Sequence, residues 1–196
     1  MFTAIVYAWF PDGRIERISP EKGLYYQTCV HPFGLSAVFF GGTSGFPRLW
    51  KRNLKSGELL ALTPADSGAR HPVFSWDGER IAFASDREFA VHETLTETNP
   101  STRNVPPELC FNIFTADGEG KNPKQITRGN FQDHRPSFSP DGGTIAFASN
   151  RSGEIQLWTV PSDGSASPKR VLKEGWGYRP WFSADGREIF FYTEIK

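Results

Sequence analysis

One phrase recurs along this chain and limits what it can fold into. Residues 133–151 read D-H-R-P-S-F-S-P-D-G-G-T-I-A-F-A-S-N-R. Residues 69–87 read A-R-H-P-V-F-S-W-D-G-E-R-I-A-F-A-S-D-R, and residues 177–193 read G-Y-R-P-W-F-S-A-D-G-R-E-I-F-F-Y-T. The shared kernel is a basic residue, Pro, any residue, an aromatic, Ser, any residue, Asp-Gly, then an apolar run. Pro72, Pro136 and Pro180 favour an extended conformation at the residue before them, and a short strand continues through the aromatic and Ser. Asp77-Gly78, Asp141-Gly142 and Asp185-Gly186 are hairpin turns, because Gly supplies positive φ and Asp tolerates it. Ile81-Ala82-Phe83, Ile145-Ala146-Phe147 and Ile189-Phe190-Phe191 form the return strand. These runs are apolar almost throughout, so both faces are expected to be buried between stacked sheets.

A second pair of strands follows each complete kernel. Ile155 to Val160 is a third strand, Ser162-Asp163-Gly164 a turn, and Lys169 to Leu172 a fourth. The matching segments one unit earlier are Phe111 to Phe114, Asp117-Gly118 and Lys124 to Thr127. Pro136 and Pro180 lie 44 residues apart, but Pro72 and Pro136 lie 64 apart. The excess falls between the second and third strands and defines an inserted, polar, Pro-containing surface loop at 88–109. A degraded earlier copy is aligned on His31-Pro32, with its Asp-Gly turn replaced by Phe33-Gly34. Its strands are Ser36 to Phe40, Arg48 to Trp50 and Leu59 to Thr63. Ala4 to Trp9 and Arg14 to Ser19 match the last two strands of a unit. The chain thus reads as a half-unit, three whole units and a second half-unit within one domain, 1–196.

A four-stranded unit of about 40–45 residues marks a β-propeller blade, so the fold class is all-β with four-stranded antiparallel blades. The kernel resembles the repeat of TolB-like propellers, x-P-x-W-S-P-D-G-x-x-I-A-F-x-S. His134 to Asn150 fits nearly residue for residue, Ala69 to Asp86 almost as well, and Tyr178 to Thr193 with Ala184 where Pro is usual. The resemblance implies a propeller that binds partner segments in or over its channel, and an extracytoplasmic, periplasmic setting. Such propellers are generally six-bladed. The order of expectation is therefore part of a larger ring, then a closed four-bladed ring whose two half-units share a blade, then a homodimer through open blade edges.

Composition removes several classes. Lys+Arg and Asp+Glu are equal at 22 each, leaving no global field to attract nucleic acid or an anionic membrane. Gly 19, Pro 15 and Phe 17 suit strands and turns. Cys29 and Cys110 are too few for a disulfide scaffold and read as two unpaired thiols. The apolar start, Met1 to Phe10, lacks a basic flank and is too short to span a bilayer. It reads as a strand, with neither signal peptide nor membrane insertion.

Chemistry is sought where the first strands line the channel. His31, His71, Arg135 and Arg179 precede the kernel prolines, and Arg70 and His134 add potential charge. One reading is a basic mouth that binds an anionic group, such as a peptide carboxylate, an acidic sugar or a phosphate. The plainer reading is that these side chains bond neighbouring carbonyls and hold blades together. His31, His71 and His134 converging on a metal is a third reading, which resembles the use of histidines in pectate-degrading propeller lyases; no local metal motif supports it, and no metal or other cofactor is expected. Ser75, Ser139 and Ser183 precede turns and are read as local caps, and no G-x-S-x-G elbow occurs. Trp76, Trp176, Tyr178 and Trp181 invite a carbohydrate reading; Trp176, flanked by glycines, is the better candidate for a ligand-facing ring, and an exposed Trp76 would also be informative. The functional expectation is a non-catalytic binding module for a protein or peptide partner. The alternatives are a lyase or hydrolase acting on an acidic polysaccharide, and an accessory propeller of a serine peptidase.

Overall fold

The computed structural model describes residues 4–43, 46–86, 110–173 and 175–193. Arg87 and the insertion at 88–109 lie outside the described residues. Among those described, there is no helix, and five antiparallel sheets follow one another in chain order. The first pairs β1 (Tyr7–Trp9) with β2 (Ile15–Arg17). Blade 1 contains β3 (Leu24–Val30), β4 (Ser36–Gly42), β5 (Arg48–Asn53) and β6 (Leu59–Ala61). Blade 2 contains β7 (Ala69–Phe74), β8 (Arg80–Ser85), β9 (Asn112–Asp117) and β10 (Lys124–Gln125). Blade 3 contains β11 (His134–Phe138), β12 (Thr144–Ser149), β13 (Gln156–Pro161) and β14 (Lys169–Arg170). A final hairpin pairs β15 (Tyr178–Phe182) with β16 (Ile189–Tyr192).

The hairpins close as their turn chemistry requires. Gly78, Gly142 and Gly186 have φ of 76°, 68° and 73°, and each donates its N–H to the carbonyl of the kernel Ser. The Ser75 hydroxyl donates to Asp77 and accepts Arg80 N–H at 2.9 Å; Ser139 and Ser183 repeat this pattern. These serines are turn caps. The third-to-fourth strand turn of blade 2 differs slightly from expectation: Gly120, not Gly118, is the left-handed residue, at φ 76°.

Apolar residues fuse neighbouring blades. Val38 and Leu49 of blade 1 cluster with Phe74, Ile81, Phe83 and Phe114 of blade 2. Ala82, Ala84 and Ile113 on the other face of blade 2 cluster with Phe138, Ile145, Phe147 and Val160 of blade 3. Successive residues of a strand point to opposite faces, so Ile81 and Phe83 look back while Ala82 and Ala84 look forward. Small residues on the forward face let the next blade approach. The pair β1–β2 packs on blade 1 through Ile18, Tyr25 and Phe39, and β15–β16 packs on blade 3.

Closure into a four-bladed ring would require β1–β2 and β15–β16 to pair into one sheet. Among the described residues they remain separate two-stranded sheets. Their outward side chains are open: Trp9 is 67% exposed and Tyr192 56%.

Candidate functional site

Every first strand is broken at the same place. Register jumps between Tyr26 and Cys29, Arg70 and Val73, His134 and Ser137, and Tyr178 and Trp181. In each case three steps on the first strand face two on its partner, which is a β-bulge. The residue at the bulge is left-handed: Gln27, His71, Arg135 and Arg179 have φ of 38°, 55°, 52° and 53°. The pre-proline residues are therefore not extended, as the Pro effect alone suggested. Proline has no N–H to lose from the ladder, so it fits the gap that the bulge creates. A left-handed non-Gly residue costs on the order of 1–3 kcal/mol, and the four repeats bear that cost at one shared position. The bulge turns the four side chains toward the mouth of the channel.

His31 is not among them. Its N–H bonds to Ser36 O, and Gly34 N–H bonds to His31 O, as Ser75 and Gly78 do one blade later. His31-Pro32-Phe33-Gly34 thus occupies the place of Ser75-Trp76-Asp77-Gly78, and Gly34 supplies the turn at φ 68°. Pro32 corresponds to the second Pro of the repeat, not the first, so the sequence alignment was four residues out of step. The turn is present after all, at the opposite end of the strand from the mouth. There the His31 ring packs edge-on to Phe74 at 5.1 Å and fills the space where a Cβ on Gly78 would lie, 2.1 Å from Nε2. The three-histidine convergence is therefore not formed. Among the described residues no group of three or more His, Cys, Asp or Glu is placed to hold a metal.

A cavity of about 730 Å³ opens at the mouth, lined by Gln27, His71, Arg135 and Arg179 together with aromatic rings and the bulge prolines. Tyr26, Trp181 and Tyr192 are each about half-exposed on its wall. Arg135 is held in place. It donates from Nη1 to Gln27 Oε1 at 2.9 Å, across the channel from blade 3 to blade 1. Its guanidinium lies over the Tyr178 ring at 4.9 Å. Arg179 is exposed.

His71 is 9% exposed, lines the cavity, and has no hydrogen-bond partner for Nδ1. Its ring packs edge-on to His134 at 5.5 Å and to Phe40 at 5.6 Å. Burial, reinforced by Arg135, His134, Arg70 and Arg179, pushes the His71 imidazole down to about 2. Burial, with Arg70 and Arg135, pushes His134 down to about 4. Both rings are neutral near pH 7, so the arginines supply the charge of the mouth. Among the described residues, the lining holds no carboxylate, serine or cysteine.

The other sequence candidates sit around this centre. Arg70 lies over Phe111 at 4.8 Å, beside the histidines but off the cavity wall. Trp176 stacks on Tyr178 at 5.7 Å, one ring removed from Arg135, and does not line the cavity. Trp76 is 46% exposed, but its Nε1 donates to Phe138 O at 3.2 Å and ties blade 2 to blade 3. Arg151 is structural: it donates to the buried Asp133 at 2.5 Å and to Arg128 O at 3.0 Å. Cys29 and Cys110 form no disulfide. The sequence reading missed Tyr26 and Tyr192, and counted Trp181 only among the aromatics open to a carbohydrate. Trp181 had a visible signal, as the residue after the kernel Pro, where the other units carry Val73 and Ser137.

Repeated blades, a bulged inner strand and a channel mouth define the class as a β-propeller. Residues 108–196 match the model of the TolB β-propeller domain. An uncharacterised protein of Agrobacterium fabrum is 28% identical over 180 residues, covering 90% of this chain and 49% of its own length. A protein TolB homolog of Chlorobium luteolum is 30% identical over 150 residues, covering 65% of this chain and 34% of its own. Among solved structures, TolB from Acinetobacter baumannii superposes with a TM-score of 0.68 at 19% identity, over 95% of this chain and 42% of that one. The repeat of this chain is thus a TolB-like β-propeller repeat, matched to that family's model over its C-terminal residues 108–196. The chain spans about half or less of the length of these relatives.

Proposed function

We propose that the chain is a non-catalytic binding module whose channel mouth receives a protein or peptide partner. One observation carries this reading: the mouth is an open cavity in which two arginines stand among half-exposed aromatic rings. Rings of this kind supply large contact area at small entropic cost, and arginine adds directional charge; both are enriched where proteins bind proteins. Supporting it, residues 108–196, which carry Arg135 and Arg179, match the TolB β-propeller domain.

The test is selection of random peptides, displayed with free C termini, on the 196-residue chain. Peptides that use the mouth lose about tenfold or more in affinity on Trp181→Ala, the cost of a modest aromatic anchor. Recovery only of peptides that bind Trp181→Ala as well as the unaltered chain would refute the mouth as the binding surface.

A further inference from the structure

We infer that the mouth recognises a free carboxylate, the C terminus of a peptide with an apolar or aromatic last residue, seated between Arg135 and Arg179. This rests on the binding-module reading and names what the module recognises. The two arginines occupy the same bulge position on adjacent first strands, β11 and β15, and both line one cavity. Arg135 is already oriented by Gln27 and Tyr178, so little of its freedom is lost on binding. Arg179 is exposed and makes no hydrogen bond or ion pair among the described residues. A planar guanidinium meets a carboxylate through two parallel N–H···O bonds, which gives direction as well as charge.

The floor and wall specify the rest of the ligand. His71 is nine-tenths buried at the cavity, and its Nδ1 lacks a partner. A neutral imidazole has one nitrogen to donate and one to accept, so it can bond the terminal amide or the carboxylate without competing for charge. Tyr26, Phe40, Trp181, Pro136 and Pro180 offer the flat apolar surface for the last side chain. An acidic sugar carries the same carboxylate but surrounds it with hydroxyls that require acceptors. Among the described residues the lining has no carboxylate, and Gln27 Oε1 is already occupied by Arg135. The chemistry therefore favours the peptide terminus over the sugar.

The experiment uses peptides recovered from the free-C-terminus selection, synthesised as the free acid and as the C-terminal amide, with trigalacturonate as the competing probe. Titration is followed by calorimetry on the unaltered chain, on Arg179→Gln and on Trp181→Ala. Arg135→Gln is a second variant, titrated well below its own thermal midpoint because Arg135 also braces Gln27 and Tyr178. The expected result is that amidation weakens binding about tenfold or more, the size of a charge-assisted pair. In Arg179→Gln the difference between acid and amide shrinks to about twofold or less. Equal binding of acid and amide, with Trp181→Ala still disruptive, overturns the carboxylate inference and leaves the binding module standing. Arg179-dependent binding of trigalacturonate without peptide binding overturns it in favour of an acidic sugar. Peptides indifferent to Arg179→Gln and Trp181→Ala alike overturn the module reading, and this inference with it.

Discussion

The hairpin β11–β12 and the hairpin β15–β16 are written in nearly the same words, yet their side chains meet different surroundings. Ile145, Ala146, Phe147 and Ala148 are all buried, at 1% exposure or less. Their counterparts Ile189 and Phe191 are half-buried, and Phe190 and Tyr192 are 44% and 56% exposed. The difference is concentrated on one face. Ala146 and Ala148 look forward to a neighbouring sheet and are small. Phe190 and Tyr192 look forward to none among the described residues and are large, covered only by Trp181, whose ring lies 5.6 and 5.7 Å from theirs. The kernel thus encodes the hairpin, while the size of two forward residues encodes what stands next to it. The same open face supplies Trp181 and Tyr192 to the cavity wall.

The sharpest way to break this comparison is to truncate equivalent phenylalanines. Phe147→Ala removes a ring with no exposed surface and is expected to cost about 3–5 kcal/mol, as lost transfer energy and a cavity add. Phe191→Ala, at the matching place in the outer hairpin, is expected to cost about 1–2 kcal/mol, because water already reaches the site. Denaturant unfolding of the two variants decides it. Equal losses would mean that the outer hairpin is as enclosed as the inner one.

Exchange of the forward residues sharpens the same point. Ala146→Phe forces a ring between close sheets and is expected to destabilise by about 1–3 kcal/mol. Phe190→Ala is expected to stay within about 1 kcal/mol, since its ring is nearly half in water. If Ala146→Phe were neutral, the forward face of blade 3 would have room that the structure does not show.

The mouth extends the comparison to pH. His71 is buried and His134 half-buried within the inner blades; Arg179 is exposed on the outer hairpin. An imidazole whose folded pKa is depressed takes up its proton first in the unfolded chain. Its contribution to stability is therefore complete above about pH 6.5 and falls as pH drops, down to about 4 for His134 and about 2 for His71. Within that window the loss is up to about 1.4 kcal/mol per pH unit for His71. Unfolding midpoints between pH 7 and pH 4 should show a steep fall that His71→Gln flattens and that Arg179→Gln, which removes the smallest of the charge effects acting on His71, changes little. A slope unchanged by His71→Gln would mean that the acid sensitivity lies in the carboxylates.

The blades were legible because periodicity is a global signal: Asp-Gly turns and apolar return strands recur whatever the details. Strand order emerged as a half-unit, three blades and a half-unit for that reason. The bulge was not legible. Pro72, Pro136 and Pro180 marked the position, but a pre-proline preference describes an isolated dipeptide, whereas sheet register selected the left-handed state. Half of the site followed from the prolines, which placed His71, Arg135 and Arg179 together. His31 misled because blade 1 has Thr28 where the others have Pro, so alignment caught the wrong proline and passed over Gln27. Of the aromatic wall only Trp181 stood out, because Tyr26 and Tyr192 gain meaning only when blade 1 and the final hairpin meet at one cavity.

The smallest expected effect discriminates most between the two readings of the basic mouth. If the arginines hold blades together, removing either should destabilise the chain. Arg135 does carry structure, through Gln27 and the Tyr178 ring, and Arg135→Gln is expected to cost about 1 kcal/mol. Arg179 occupies the same strained backbone position but is exposed and makes no such contacts among the described residues. Arg179→Gln is therefore expected to change stability by less than about 0.5 kcal/mol. A loss above about 1 kcal/mol would make Arg179 a structural brace and remove it from any binding role. No measurable loss leaves a charged side chain held at the mouth by a costly backbone conformation and contributing nothing to the fold, which is the pattern of a residue kept for a ligand.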